Sequence, residues 1–300
     1  MKSPILFIIF NRPEVTKLAF EKIRQARPSR LYIAADGPRN NRLDDFVKCK
    51  QTRSIADCVD WPCEIHKLFR DENLGCGRGV SSAITWFFEH EEEGIIIEDD
   101  IVPHIDFFKY CDEMLDKYRN DSRIQLIAGR NPFYNGCQSN VSYYMSSYFA
   151  IWGWATWRRV WDTYEFETRK LDKKQFLDKL SKRITRSSYK FYKIIYNLMY
   201  DHKIDTWDYQ FYFNQIIYDR YSIIPYTNMT ENIGLGIEDS THTLVKDDIK
   251  SNHKAKSPYP LIHPDEVKPD LAADKLYRIN NRVYIRPLYQ RIIGRIKRLL

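Results

Sequence analysis

No stretch of the 300 residues approaches the roughly 18 continuous apolar positions that a membrane-crossing helix needs, so no transmembrane segment is expected. The apolar run over residues 4–10 follows a single lysine and is too short for a secretory signal, so it is expected to be a first strand and the address to be cytoplasmic. Six cysteines are present, but none forms a C-x-x-C pair and their spacing makes no framework. That pattern argues against disulfides and structural zinc and suits free thiols in a reducing compartment. Internal repeats and low-complexity tracts are lacking too. Outside the end of the chain the two signs of charge nearly balance. The net charge is +7, and residues 282–300 alone hold six basic residues and no acidic one. With 15% aromatic residues, a basic chain invites comparison with nucleic-acid binders. A body this close to neutral offers no spread basic face, so no nucleic-acid partner is expected.

What is present is an alternation of β-rich runs and amphipathic stretches over the first 130 residues. Residues 5–10, 31–35, 64–69, 94–97 and 123–128 read as strands, with Pro13 opening a helix whose apolar face is Val15, Leu18, Ala19 and Ile23. A second crossover helix is expected over 80–89. The alternation predicts a parallel sheet flanked by helices, a fold of the α/β class. Ligands on such sheets gather at the carboxyl ends of the strands. Three polar groups fall there: Asn11-Arg12, Asp36-Gly37 and Glu98-Asp99-Asp100. Residues 129–161 are irregular and rich in Asn, Gly, Tyr and Trp, the composition of loops that bind a polar ligand. Helical periodicity returns over 173–183, 189–202 and 207–218, before a short strand over 221–225. The organisation is therefore a nucleotide-binding half over 1–130, an acceptor half over 131–242, a Pro-rich linker or surface loop over 243–282 and a tail over 283–300.

Successive carboxylates at the end of a buried strand are costly to desolvate without a compensating cation. Mn2+ or Mg2+ suits them, because a hard divalent ion takes one or two carboxylate oxygens and completes its shell with water and diphosphate. An acidic cap on the next helix explains the same residues. Likewise Arg12 before Pro13 fits a solvated helix start, and Asp36-Gly37 an ordinary turn. Gly75-Cys76-Gly77-Arg78-Gly79 suggests a phosphate loop, but its spacing is not G-x-G-x-x-G and it follows the third strand.

The triplet resembles the DXD motif of GT-A glycosyltransferases, and more closely the Glu-Asp-Asp strand end of bacterial relatives of the N-acetylglucosaminyltransferase I type. Phe10-Asn11-Arg12-Pro13, Ala35-Asp36-Gly37-Pro38, Asp106-Phe107-Phe108 and Gly153-Trp154 fall in the order that family uses, over roughly the first 240 residues. The resemblance implies a GT-A type sheet and a nucleotide-diphosphate sugar donor, UDP-linked, whose sugar passes with inversion to a hydroxyl of a surface glycan or lipid-linked acceptor. It places Arg12 and Asp36 at the base, with Arg78 as a counterpart of the basic residue there. Asp99 then lies by the ribose, Asp100 on the metal and Glu98 on the transferred sugar. Asp208 corresponds to the family's catalytic base; it also fits an N-cap, and Asp201 and Asp205 are its neighbours and rivals. Trp152, Gly153 and Trp154 resemble the acceptor-side turn, although a Trp in a turn is usually core. Ser240 and His242 sit in a glycine-containing stretch similar to the family's flexible lid, where they would meet the diphosphate. A catalytically silent sugar-binding domain would carry the same aromatic loops.

The tail from 283 to 300 places Ile285, Leu288, Ile292, Ile296 and Leu299 on one helical stripe bordered by arginines. Such a basic amphipathic helix either lies on an anionic membrane surface, making the protein peripheral at the inner face, or docks on its own domain.

Overall fold

The computed structural model describes residues 1–131, 139–234 and 254–276. In chain order it contains β1 (Ile5–Ile9), α1 (Pro13–Ala26), β2 (Arg30–Ala35), α2 (Asp45–Arg53), β3 (Glu64–Phe69), α3 (Gly75–His90), β4 (Glu93–Glu98) and β5 (Ile101–Pro103). Then come α4 (Asp106–Tyr118), β6 (Ile124–Ala128), β7 (Tyr143–Ser146), β8 (Trp154–Trp157), α5 (Arg158–Trp161), α6 (Lys173–Arg183), α7 (Arg186–Tyr200), α8 (Asp208–Ile217), β9 (Tyr221–Pro225) and β10 (Thr230–Asn232).

β1 and β4 read ILFII and EGIIIE, runs without alternation, because both faces of a central strand are covered by protein. Helix α1 starts on Pro13, whose missing N–H costs nothing at a first-turn position, and ends at Arg27 with φ 49° in the left-handed region. Its buried stripe is Thr16, Ala19, Phe20 and Ile23. That differs by a small rotation from the expected face, and Leu18 stands 58% exposed. Helix α3 begins five residues before the expected start, and α2 and α4 were not anticipated. In α4 the buried Phe107, Phe108, Cys111, Met114, Leu115 and Tyr118 form a helical stripe across a stretch whose charges obscure it.

The helices cover a sheet of eight strands in the order β3-β2-β1-β4-β8-β6-β9-β7. The first four are parallel, as expected. The sheet as a whole is mixed: β8 runs antiparallel to both β4 and β6, and β7 antiparallel to β9. β7 and β8, the strands that run against their neighbours, both come from the aromatic segment after residue 130. Strands from both halves of the chain thus share one core, while a second apolar cluster, including Phe176, Leu180, Tyr196, Tyr212 and Phe213, packs α6, α7 and α8 together. The cysteines among the described residues are unpaired. No described helix is long and apolar enough to cross a membrane. The tail over 283–300 lies outside the described residues.

Candidate functional site

Register brings the polar groups to one edge. Ile8 of β1 pairs with Glu98 of β4, and Ile9 with Ala35 of β2, so Arg12, Asp36 and the triplet all emerge at the same ends of adjacent strands. Arg12 turns onto the triplet itself. Its Nη2 donates to Asp99 Oδ1, its Nε reaches Asp99 Oδ2 at 3.4 Å and its Nη1 reaches Asp100 Oδ2 at 3.2 Å. Asp99 is 5% exposed and Asp100 17%. Arg12 and Asp99, expected at the base and at the ribose, thus form a direct ion pair with each other. Burial, reinforced by the charges of Asp100 and Asp99, pushes the Glu98 carboxyl above the usual carboxylate range. The charge of Asp208 adds to that shift, which sets Asp208 within electrostatic reach of the triplet.

A second short sheet closes over this point. β10 pairs antiparallel with β5, Ile233 N donates to Asp100 O at 2.9 Å, and the chain passes Asp100 at Gly234. A Cβ on Gly234 would lie 2.5 Å from Asp100 Oδ2 and 2.7 Å from Arg12 Nη1, so only glycine lets the backbone approach this closely.

Asp36 and Asp205 hold the start of α3. The Asp36 carboxylate accepts from Leu74 N, Gly75 N and Asn73 Nδ2 at 3.0–3.1 Å, and burial raises its pKa despite those bonds. Asp205 Oδ1 accepts from Gly77 N at 3.0 Å. The backbone amides that a phosphate loop would offer thus face protein carboxylates, and the glycines admit Asp205 and Asp36 against the chain. Arg78 is 65% exposed, pairing with Glu167 at 2.8 Å and stacking 4.7 Å over Phe166. Cys76, which the sequence did not single out, lies among Glu98, Asp208, Asp205 and Asp36; burial first, then their charges, raises its thiol pKa.

Asn11 and Arg39 converge on Asp45, the buried first residue of α2: Asn11 Nδ2 donates to Oδ1 at 2.7 Å and Arg39 Nη2 to the same oxygen at 2.9 Å. The Arg39 bonds foremost hold this carboxyl down to about 2, from an ordinary 3.8. A depressed folded-state pKa stabilises the fold above the unfolded value and loses that contribution as pH falls through 3.8 toward 2. Asp45→Asn is therefore expected to cost about 2 kcal/mol at neutral pH and progressively less under acid, measured by urea unfolding at both pH values.

In the second half of the chain, Asp208 is the first residue of α8. Its Oδ1 accepts from Thr206 Oγ1 and from Tyr209 N at 2.9 Å, while no described residue donates to Oδ2. Its neighbour Trp207 is buried and stacks on Trp154 at 5.7 Å between ring centroids. Trp154 is itself fully buried in β8, so the structure puts it in the core and not on an acceptor surface. Gly153 has φ 68°, and a Cβ there would lie 2.9 Å from Thr230 Cγ2, so this glycine serves a tight left-handed turn between packed elements. Trp152 is half-buried, with Arg130 at 3.4 Å over its ring. Asp201 ends α7 and pairs with Lys203 at 3.8 Å. Ser240 and His242 lie outside the described residues.

Among the described residues no three His, Cys, Asp or Glu side chains are grouped to hold a metal ion. A hard ion would here take a single carboxylate. Asp100 suits that role, since its Oδ1 accepts no hydrogen bond from a described residue, and the remaining shell would be water and ligand oxygens.

No protein-family model matches the sequence, and no curated protein does. Among solved structures, the chain is similar to residues 1–349 of TarS from S. aureus, with 9% identity and TM-score 0.41 over 75% of this chain and 57% of that one. It spans, that is, a little over half the length of that structure. The glycosyltransferase GlyE of Streptococcus pneumoniae aligns over 74% of this chain and 45% of its own, with 12% identity and TM-score 0.37. Apo UDP-glucose pyrophosphorylase aligns over 78% of this chain and 94% of its own, with 11% identity and TM-score 0.38. All these scores lie below 0.5, and it is the residues at the strand ends that define the site.

Proposed function

We propose that the protein is a glycosyltransferase that moves a sugar from a nucleotide diphosphate, UDP-linked by the family resemblance, to an acceptor hydroxyl with inversion. The observation that carries this is the convergence of Arg12 and the Glu98-Asp99-Asp100 triplet at the carboxyl edge of the sheet, with Asp208 in electrostatic reach on the opposite half. Bound on Asp100, Mn2+ or Mg2+ would draw negative charge off the departing diphosphate. The chain's own residues supply the rest. Thr206 and Tyr209 N orient Asp208 through one carboxylate oxygen, leaving the other to accept the acceptor's hydroxyl proton. As that proton moves to Asp208, the acceptor oxygen bonds to the anomeric carbon. The bond from that carbon to the diphosphate oxygen breaks, and its electron pair leaves with the nucleoside diphosphate. Glu98 faces the transferred sugar in this scheme. A glycan or lipid-linked acceptor, Trp152 beside it, Ser240 and His242 on the diphosphate and the tail over 283–300 on an anionic membrane face complete the proposal.

Asp100→Ala tests it. Loss of metal-stimulated nucleoside diphosphate release by about 10²-fold or more, with an unchanged melting temperature, is expected, since the removed oxygen is the metal's one protein ligand. Release at the wild-type rate would remove the triplet from the chemistry.

A further inference from the structure

Two of the three carboxylates at the end of β4, Asp99 and Asp100, face the Arg12 guanidinium, and the geometry of that guanidinium points to a role distinct from contact with a base. Arg12 engages both oxygens of Asp99 and, through Nη1, Asp100 Oδ2 at 3.2 Å. It thereby stands beside the one carboxylate suited to a divalent ion. An ion on Asp100 would lie within a few ångströms of a fixed like charge, and in a half-buried site that repulsion far exceeds thermal energy. The guanidinium is also hemmed in. Gly234 passes so close to Asp100 Oδ2 and Arg12 Nη1 that a methyl group would not fit between them, and the buried Asp99 retains the other edge of the fork. Arg12 is thus a resident cation that the fold itself keeps on the triplet.

We propose that Arg12 is an internal counter-cation that keeps metal affinity low in the ligand-free protein, so that the ion binds together with a nucleotide diphosphate. The inference rests on the metal-and-nucleotide reading above. The diphosphate brings two or more negative charges, which offset the repulsion between Arg12 and the ion and supply the oxygens the single carboxylate cannot. The linkage is reciprocal: what the nucleotide does for metal affinity, the metal does equally for nucleotide affinity. Ordered arrival leaves the empty site without a stray divalent ion, and it makes Arg12 a positioning residue that acts through Asp99 and Asp100.

The test is Mn2+ binding to the full chain, followed by loss of the free-ion paramagnetic resonance signal and by calorimetry, with and without UDP. Wild-type protein is expected to bind Mn2+ weakly alone and at least about tenfold more tightly with UDP. Arg12→Gln removes the competing charge and is expected to bind Mn2+ alone at least about tenfold more tightly than wild type. Arg12→Lys keeps Asp99 compensated, and so preserves the fold, while its single ammonium cannot span both acids. With Asp100 released, about threefold tighter binding of Mn2+ alone is expected. If wild type binds Mn2+ with UDP but neither variant gains affinity for Mn2+ alone, the counter-cation idea is overturned and the metal-and-nucleotide reading stands. If wild type binds no Mn2+ even with UDP, both fall together.

Discussion

Asp208→Asn is expected to lower kcat by about 10²–10⁴-fold while donor binding stays within a few-fold of wild type, because in the proposed mechanism it removes the proton acceptor and little else. The amide keeps the shape of the side chain. Its oxygen can still accept from Thr206 and from Tyr209 N, the two bonds that orient the carboxylate. The structural cost is limited to a negative charge at a helix start, about 0.3–1 kcal/mol. Comparing sugar transfer with calorimetric UDP binding separates the two effects. Turnover within about threefold of wild type would move proton transfer elsewhere, far below what a lost general base costs. The neighbouring acids are poor replacements. Asp205 is engaged by the backbone of α3 at Gly77, and its loss would loosen the contact between the two halves of the site. Asp201 pairs with Lys203 at the end of α7, half exposed.

Trp154→Ala is expected to destabilise the protein by about 3–5 kcal/mol, the range for removing a large buried aromatic. Trp154 has no exposed surface, and its ring lies against Trp207 and Phe211 in the main core. The indole Nε1 has no hydrogen-bond partner among the described residues, so Trp154→Phe loses volume but also removes an unpaired buried donor, and is expected to cost less than half as much. Trp152→Ala provides the contrast. That ring is half-buried under Arg130, and its loss is expected to cost about 1 kcal/mol of stability while raising the acceptor KM. Urea unfolding of the three variants distinguishes core from surface. A Trp154→Ala protein as stable as wild type would return this residue to the acceptor side.

The two tryptophans show where chain order stops being informative. Trp152-Gly153-Trp154 is one motif in sequence, yet a single left-handed residue between them sends one ring toward Arg130 and the other into the sheet. Strand β8 was missed for the same reason. WATW carries its burial on every position, and nothing local marks it as the strand that lies between β4 and β6. Lys173–Arg183 of α6 and Glu64–Phe69 of β3, by contrast, match their sequence expectations residue for residue.

The sequence by itself determined the elements whose signal is local: the buried runs of β1, β2 and β4, the proline start of α1 and the acidic triplet at a strand end. Hydrophobic periodicity and helix-start chemistry act over a few residues, so they are legible without a fold. Only the tertiary structure decided which charges meet. Arg12 finds Asp99 across 87 positions of chain, and Asp205 reaches Gly77 across 128. Residue spacing carries no record of such encounters. Coulombic and hydrogen-bonding partners are chosen by distances of a few ångströms in the folded sheet, and the register of β1 against β4 sets those distances for Arg12 and the triplet.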